Sequence, residues 1–494
     1  MIRREPEGKT KKEVTFNIVK DIIWELNNPS IDYREMIIED RVKEFAEEIK
    51  YLKGERLEWA ILRFIDKLND PSDKVRQHVA ETIQKIVDEI SKMSQRKLEF
   101  VVRKLLGRLE ERNDRVYEHL ATVVSGLAAK RPEVFKDKVD ILFLKLDRSC
   151  KDPYRLDELP HDEFAGFPNR CQHARTAIAE AILEVSKKFP QSFYNRISNL
   201  AKLLHDSNDE VILIALEIIE KIGHEKPEVI KNIIRDLVTC LSHDAIRSRA
   251  VYILRNHAEN NIDILKEEVD LLFEALMDSF TDWDTVEQLI DIIYVVWKKY
   301  PRIVEEGMRK MWRELTEENV WIVEWFADKY PKIVLSIIPQ LKEALYSEWL
   351  EIRRSAIAAL LGIAEDYPQL VEDTLPRLTE LLIKQHLFEE DPDIGEEISK
   401  ALEIIIKKYP WTIDDIVPKL AETLPKLITE TKKFSETCLK NASLLLKTLL
   451  SVKPEAFKEI ISLLAKKLKD KDDEIRRRTL LLLEGIERKP EKML

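Results

Sequence analysis

Residues 68–76 of this chain read LNDPSDKVR, and 400 positions later residues 468–476 read LKDKDDEIR. Both fit L-x-D-x-x-D-x-[VI]-R. At 494 residues a compact-domain count gives roughly three domains. A chain that repeats itself grows in one dimension instead, so the repeat has to be resolved first. Further members are LEERNDRVY (109–117), LHDSNDEVI (204–212), LYSEWLEIR (345–353) and LFEEDPDIG (387–395). Amphipathic stretches flank each one, such as LEWAILRFIDKL (57–68) before and VRQHVAETIQKIV (75–87) after. Apolar residues at i, i+3, i+4 and i+7 make both flanks helices with one buried face.

The nonapeptide therefore predicts a helix–turn–helix joint. Asp70, Asp206 and Asp470 stand where a side-chain oxygen caps the second helix. Asp73, Asp209 and Asp473 follow three residues on, as the acidic half of a capping box. Pro71 and Pro392 suit a first helical position, where the missing donor costs nothing. A second mark closes each unit: KRPEVF, KFPQSF, EKPEVI, KYPRIV, KYPKIV, DYPQLV, KYPWTI and VKPEAF. Their prolines (132, 190, 227, 301, 331, 368, 410, 454) mostly lie 30–44 residues apart. Each ends one helix and opens the next. The prediction is an all-α solenoid of antiparallel helix pairs.

These residues resemble the HEAT-repeat family of armadillo-like superhelices, over residues 55–489 and about eleven repeats. The resemblance implies a ladder between neighbouring repeats, built from the turn aspartate and an arginine six positions later. Asp70 with Arg76 and Asp470 with Arg476 match both positions. Arg175 and Arg353 match only the arginine, and Asp206 is followed by Ile212, so the ladder is expected to break in the middle. Residues 1–54 are expected to be N-terminal capping helices and 490–494 a short tail. The family's motif is structural and brings no catalytic residue with it. Its members are usually adaptors or scaffolds.

Composition narrows the function. There are 10 glycines, and no P-loop, G-x-G-x-x-G, H-E-x-x-H or G-x-S-x-G, so an enzyme is not expected and no cofactor is implied. A net charge of −11 argues against a protein that coats duplex DNA. No apolar run approaches the roughly 20 residues of a membrane span, and MIRREPEGKTKK has no secretory core. Cys150, Cys171, Cys240 and Cys438 show no C-x-x-C pairing and read as free thiols of the cytoplasm. The high charge with nine glutamines suits a thermophile.

Four departures from the repeat are candidate contact regions. The third repeat carries a loop insertion, 148–173, which adds about 21 residues to what is elsewhere a tight turn, with Tyr154, Phe164 and Phe167 as candidate anchors. Its Cys150, His161, Cys171 and His173 match no common zinc spacing, which leaves loop packing or a metal. Residues 259–329 hold 18 acidic and 8 basic side chains, a net of −10, and suit a solvated face or a basic partner. Seven of the nine tryptophans lie between 283 and 411, in an acidic, Trp-rich middle (259–349). Trp321 and Trp325 there are either buried between helices or exposed anchors. Finally, Leu480 to Leu483 cover every side of the last helix, which suits a lid or self-association. The expected function is a scaffold that binds protein partners. The alternative is a nucleic-acid-associated scaffold using basic stretches at the N-terminus, at 96–115 and at 466–478.

Overall fold

A computed structural model describes residues 11–110, 113–148, 167–279, 282–316, 318–374, 377, 405–430 and 436–487. Among these the chain is helical without strands, and it divides into two units, 1–271 and 272–494. In each, antiparallel helix pairs stack in sequence order, so the fold is an all-α solenoid.

In unit 1 the pairs are α1 (Lys11–Glu25) with α2 (Ile31–Glu48), α3 (Gly54–Ile65) with α4 (Asp73–Lys85), and α5 (Gln95–Arg108) with α6 (Asp114–Lys130). They continue as α7 (Val139–Arg148) with α8 (Phe167–Lys188), α9 (Ile197–Leu203) with α10 (Asp209–Glu225), and α11 (Ile234–Thr239) with α12 (Asp244–His257). The second helices α2, α4, α6, α8, α10 and α12 each pack on the next, and the first helices form the other layer. The core lies between the layers. Leu57, Ile61 and Phe64 meet Val75, Val79 and Ile83 there, and Phe64 stacks on Phe45 of α2 at 4.0 Å.

Unit 2 continues with α13 (Trp283–Lys299), the pair α14 (Pro301–Glu314) and α15 (Ile322–Lys329), and the pair α16 (Ile338–Ala344) and α17 (Leu350–Asp366). Its last described pairs are α18 (Ile413–Thr429) with α19 (Glu436–Val452) and α20 (Lys458–Lys467) with α21 (Asp473–Glu487).

The proline punctuation is one backbone device used eight times. Arg131, Phe189, Lys226, Tyr300, Tyr330, Tyr367, Tyr409 and Lys453 all adopt φ between −127° and −143° with ψ between 57° and 77°. Each still donates its N–H to the carbonyl four residues earlier, at 2.7–3.0 Å. The following proline bars the α conformation at that residue, so the helix ends there. The proline then opens a 3₁₀ turn at 132, 190, 227, 368, 410 and 454, and an α-helix at 301 and 331.

The joints correct three expectations. Asp70 does not cap α4. Ser72 does, accepting from the N–H of Val75 at 3.3 Å, while Asp70 Oδ1 accepts from the N–H of Ser72 at 3.0 Å. Asp206 and Asp470 bind Asn208 N–H and Asp472 N–H in the same way. Asn208 and Asp472 supply the caps, to Glu210 N–H at 3.0 Å and Glu474 N–H at 2.8 Å. The first aspartate thus fixes an Asx turn two residues before the cap. Asp73, Asp209 and Asp473 are the first helical residues rather than the far half of a capping box, and they favour the positive end of the dipole.

Second, the arginine clamps its own joint. Arg76 donates to the carbonyl of Asp70 at 2.7 Å and Arg476 to that of Asp470 at 2.6 Å. Arg247 and Arg353 do the same to Leu241 and Ser347, also six positions back. The rungs between repeats join an arginine to the aspartate of the next joint: Arg34 to Asp70, and Arg175 to Asp206. The Asp206 joint, where the ladder was expected to break, is bridged from the preceding repeat.

Third, the segment 1–54 contains a joint of its own. LNNPSIDYR (26–34) aligns with LNDPSDKVR. Asn28 accepts from Ser30 N–H, Ser30 caps Tyr33 N–H, and Arg34 clamps the Asn28 carbonyl. Asparagine in place of aspartate hid this copy in the sequence. α2 packs on α4 as each later second helix packs on its neighbour.

Candidate protein-binding surface

The residue that opens a second helix is normally small and polar, since it must accept a hydrogen bond from the first turn. Ser30, Ser72, Asn113 and Asn208 do so in unit 1. In three successive pairs of unit 2 tryptophan stands at this position or next to it: Trp283 follows the cap Asp282, which accepts from Thr285 N–H, and Trp321 and Trp349 directly precede α15 and α17. Trp349 has φ −80° and ψ 124°, nearly the −78° and 124° of Ser72, but accepts no bond from its helix. Each such cap is worth about 0.5–2 kcal/mol. Unit 2 forgoes it at Trp321 and Trp349.

Tryptophan there does not compensate by burial. Trp349 is 59% exposed and Trp283 55%. Trp321 and Trp325, the two residues singled out in the sequence, are half-buried against Trp283. The ring centroids of Trp283 lie 4.4 Å from Trp321 and 5.0 Å from Trp325, which are themselves 5.5 Å apart and perpendicular. Trp321 Nε1 donates to the Glu318 carbonyl at 3.0 Å, which fixes the ring. Trp321 and Trp325 are neither fully buried nor fully exposed.

The neighbouring joint adds Tyr346, 68% exposed, with the Arg377 guanidinium 4.7 Å above its ring. Beside it a groove of about 430 Å³ is lined by Trp312, Leu315, Val320, Gln340, Tyr346 and Ile352. Trp283, Tyr346 and Trp349 were not singled out in the sequence. Their signal was local: DWD (282–284) and YSEW (346–349) put an aromatic ring between polar groups at a turn, where no core face requires one.

Tyr154 and Phe164, with Cys150 and His161, lie outside the described residues. Phe167 opens α8, so the insertion is shorter at its C-terminal end than 148–173. His173 also lies in α8 and faces Glu118 at 3.5 Å, and no group of three metal-binding side chains occurs among the described residues. No described helix is long and apolar enough to cross a membrane. In the last pair Ile461 and Leu480 are about half exposed, while Leu482 is buried.

The three consecutive arginines of 466–478 and Lys104 of 96–115 are engaged within the chain. Arg476 clamps its joint, Arg477 pairs with Glu474 and Glu436, and Arg478 is buried, donating to the Leu427 carbonyl at 2.8 Å. Arg477 donates to the Glu474 and Glu436 carboxylates, and these bonds raise its pKa further. Lys104 of α5 pairs with Asp66 and lies over Phe100.

No family model matches the chain, and no curated protein matches it. Among solved structures, an engineered protein shares 15% identity with a TM-score of 0.36, covering 95% of this chain and 99% of its own. A structure from work on the phosphorylation-controlled interaction between cadherin and beta-catenin shares 13% identity with a TM-score of 0.38, over 97% and 96%. Kap121p bound to Nup53p shares 11% identity with a TM-score of 0.46; the match covers 96% of this chain and 53% of Kap121p, about half its length. Likenesses of this strength assign neither family nor function, and the fold class stands on the helix pairs themselves.

Proposed function

We propose that the chain is a non-enzymatic helical-repeat scaffold that holds one or more protein partners. The observation that carries this is the exposure of Trp283, Tyr346 and Trp349 at the joints of unit 2. Large aromatic rings with few rotatable bonds are the side chains that dominate protein interfaces. Mounted at helix starts they lose little conformational freedom on binding. The acidic, Trp-rich region 259–349 is the main contact region in this reading. Tyr154 and Phe164 of the insertion, with Phe167 at the start of α8, form a second, and the half-exposed Ile461 and Leu480 of the last pair offer a face for self-association. The nucleic-acid alternative is less favoured, because Arg476, Arg477 and Arg478 already bind the chain's own carbonyls and carboxylates.

Affinity purification of the tagged full chain from its native host, followed by mass spectrometry, tests the reading. Reproducible co-purification of the same proteins, reduced by Trp283→Ala, is the expected result. Recovery of the chain alone would sink it.

A further inference from the structure

In unit 1 the first helices α3, α5 and α7 repeat one another in register. Leu57, Leu98 and Val139 lie 41 residues apart and all three are buried. Two residues after them stand Trp59, Phe100 and Ile141, and five residues after them Leu62, Arg103 and Leu144. Phe100 is 45% exposed, Ile141 40% and Leu144 49%, while Trp59 and Leu62 are half-buried. The Trp59 ring meets the edge of Phe16 of α1 at 5.5 Å, which carries the apolar stripe onto a fourth helix. The next two pairs lack this feature. Counted from the proline that opens each unit, the positions matching Ile141 hold Asn199 and Asp236. An outward position has no packing reason to be apolar in three successive pairs.

The uncompensated charge around these side chains is positive. α5 carries Arg96, Lys97, Arg103, Lys104 and Arg108 against a single acid, Glu99. Arg63, Arg96, Lys97 and Arg103 are exposed and take part in no ion pair or hydrogen bond among the described residues. Acids of the same helices are answered from within the chain. Lys104 pairs with Asp66 and Arg196 with Asp140, while Glu58 accepts from Ser94 N–H and Glu99 from Gln95, both at 2.8 Å. Glu55 and Asp137 stand at the helix starts.

A nucleic acid would answer such a face with phosphates and with bases that stack on aromatic rings. It has no counterpart for Ile141 and Leu144. The boundary between headgroups and acyl chains of an anionic bilayer offers both partners, negative charge for Lys and Arg and an apolar layer for Phe, Ile and Leu. Long basic side chains suit that boundary, because their stems lie along apolar surface while their charges reach the headgroups.

We propose that the outer face of α3, α5 and α7 docks the chain on an anionic lipid bilayer. Phe100, Ile141 and Leu144 enter the apolar boundary, and Arg63, Arg96, Lys97 and Arg103 meet the headgroup phosphates. The contact is peripheral and reversible, and no helix crosses the bilayer. It uses unit 1 alone and stands independently of the protein-binding surface on unit 2.

The test is flotation of the full chain with vesicles of phosphatidylserine and phosphatidylcholine in equal parts, and with vesicles of phosphatidylcholine alone. The chain is expected to float with the first and to stay in solution with the second. Each Lys or Arg at such a surface is worth about fivefold in partitioning, so Lys97→Gln with Arg103→Gln is expected to lower it about twentyfold. Phe100→Ser with Leu144→Ser is expected to lower it about tenfold. All four side chains are exposed, so both variants are expected to keep the wild-type thermal midpoint. No flotation with the anionic vesicles, or equal flotation with the neutral ones, overturns the proposal. Full flotation of the Phe100→Ser, Leu144→Ser chain also overturns it, since charge alone would then hold the vesicle. Saturable binding of a fluorescein-labelled DNA duplex that survives the serine changes, in a chain that leaves both vesicles unbound, assigns the face to nucleic acid instead. A Trp283→Ala chain is expected to float undiminished while losing its co-purified proteins, which separates this surface from the scaffold reading.

Discussion

Replacing Asp70 by alanine removes the acidic half of an ion pair that the stack keeps almost dry. The Asp70 and Arg34 side chains are 4% and 7% exposed. Arg34 Nη2 donates to Asp70 Oδ1 at 3.0 Å, Arg34 Nε lies 2.9 Å from Oδ2, and the same Oδ1 accepts from Ser72 N–H. The truncation strands a buried guanidinium, which keeps only its bond to the Asn28 carbonyl, and an unpaired backbone donor. Breaking a buried pair from one side costs about 3–5 kcal/mol. The hydrogen bonds removed give a similar figure, one to a charged partner at about 1.5–3 kcal/mol and one backbone donor left unsatisfied at about 1–3 kcal/mol. A stack of repeats does not unfold as one two-state block, so the readout is native-state hydrogen exchange of amides in α2 and α4. Their opening free energy is expected to fall by about 3–5 kcal/mol, with α12 changed by less than about 0.5 kcal/mol. The double replacement Arg34→Met, Asp70→Leu is expected to recover most of the loss, since neither charge is then stranded. A loss below about 1 kcal/mol, or one that disappears in high salt, would mean an ordinary surface pair and refute the argument.

Three further outcomes follow from the packing of unit 1. A Cβ on Gly223 would lie 2.6 Å from His257 Nε2 and 3.1 Å from the Ile230 side chain, so Gly223→Ala is expected to destabilise. Its overpacking loss of about 1–3 kcal/mol outweighs a helix-propensity gain of about 1 kcal/mol; a raised urea midpoint would show the approach to be loose. Burial, with His224 adding to it, lowers the His257 pKa below its ordinary value. The unfolded chain then takes up the proton first, so stability is full above about pH 6.5 and declines as pH falls below it. His257→Gln is expected to flatten that part of the decline, and a urea-midpoint profile from pH 7.5 to 5.5 identical to wild type would contradict the assignment. Burial, with the Asp236 charge adding to it, pushes the Cys240 thiol up to about 12. At pH 8 only about one molecule in ten thousand carries that thiolate, so peptide-level mass spectrometry should find Cys240 alkylated by iodoacetamide only after unfolding.

Helix, joint and proline boundary were legible in the sequence because each is local. A period of 3.6 selects one buried face, a capping residue must stand next to the helix it opens, and proline constrains its immediate neighbour. Roles assigned by position alone shifted where two residues compete for one task. Asp70 and Ser72 both offer an oxygen to the joint, and only the turn geometry gives the helix cap to serine and the Asx turn to aspartate. The joint at 26–34 escaped because asparagine does the work of aspartate there, accepting from Ser30 N–H in the same manner. Trp321 and Trp325 were visible as candidates, but Trp283, which completes their cluster from 38 positions upstream of Trp321, was not.

By itself the sequence determined the architecture, because a helix pair repeated at near-constant spacing with one apolar face per helix has only its own neighbours to pack against. Which side chains meet across that stack belongs to the tertiary structure: Arg34 with Asp70, Arg175 with Asp206, and Trp283 with Trp321 lie 31 to 38 residues apart. The physical reason is that such distances depend on how one whole pair sits on the next. That is the sum of many apolar contacts, and no short stretch of the chain encodes it.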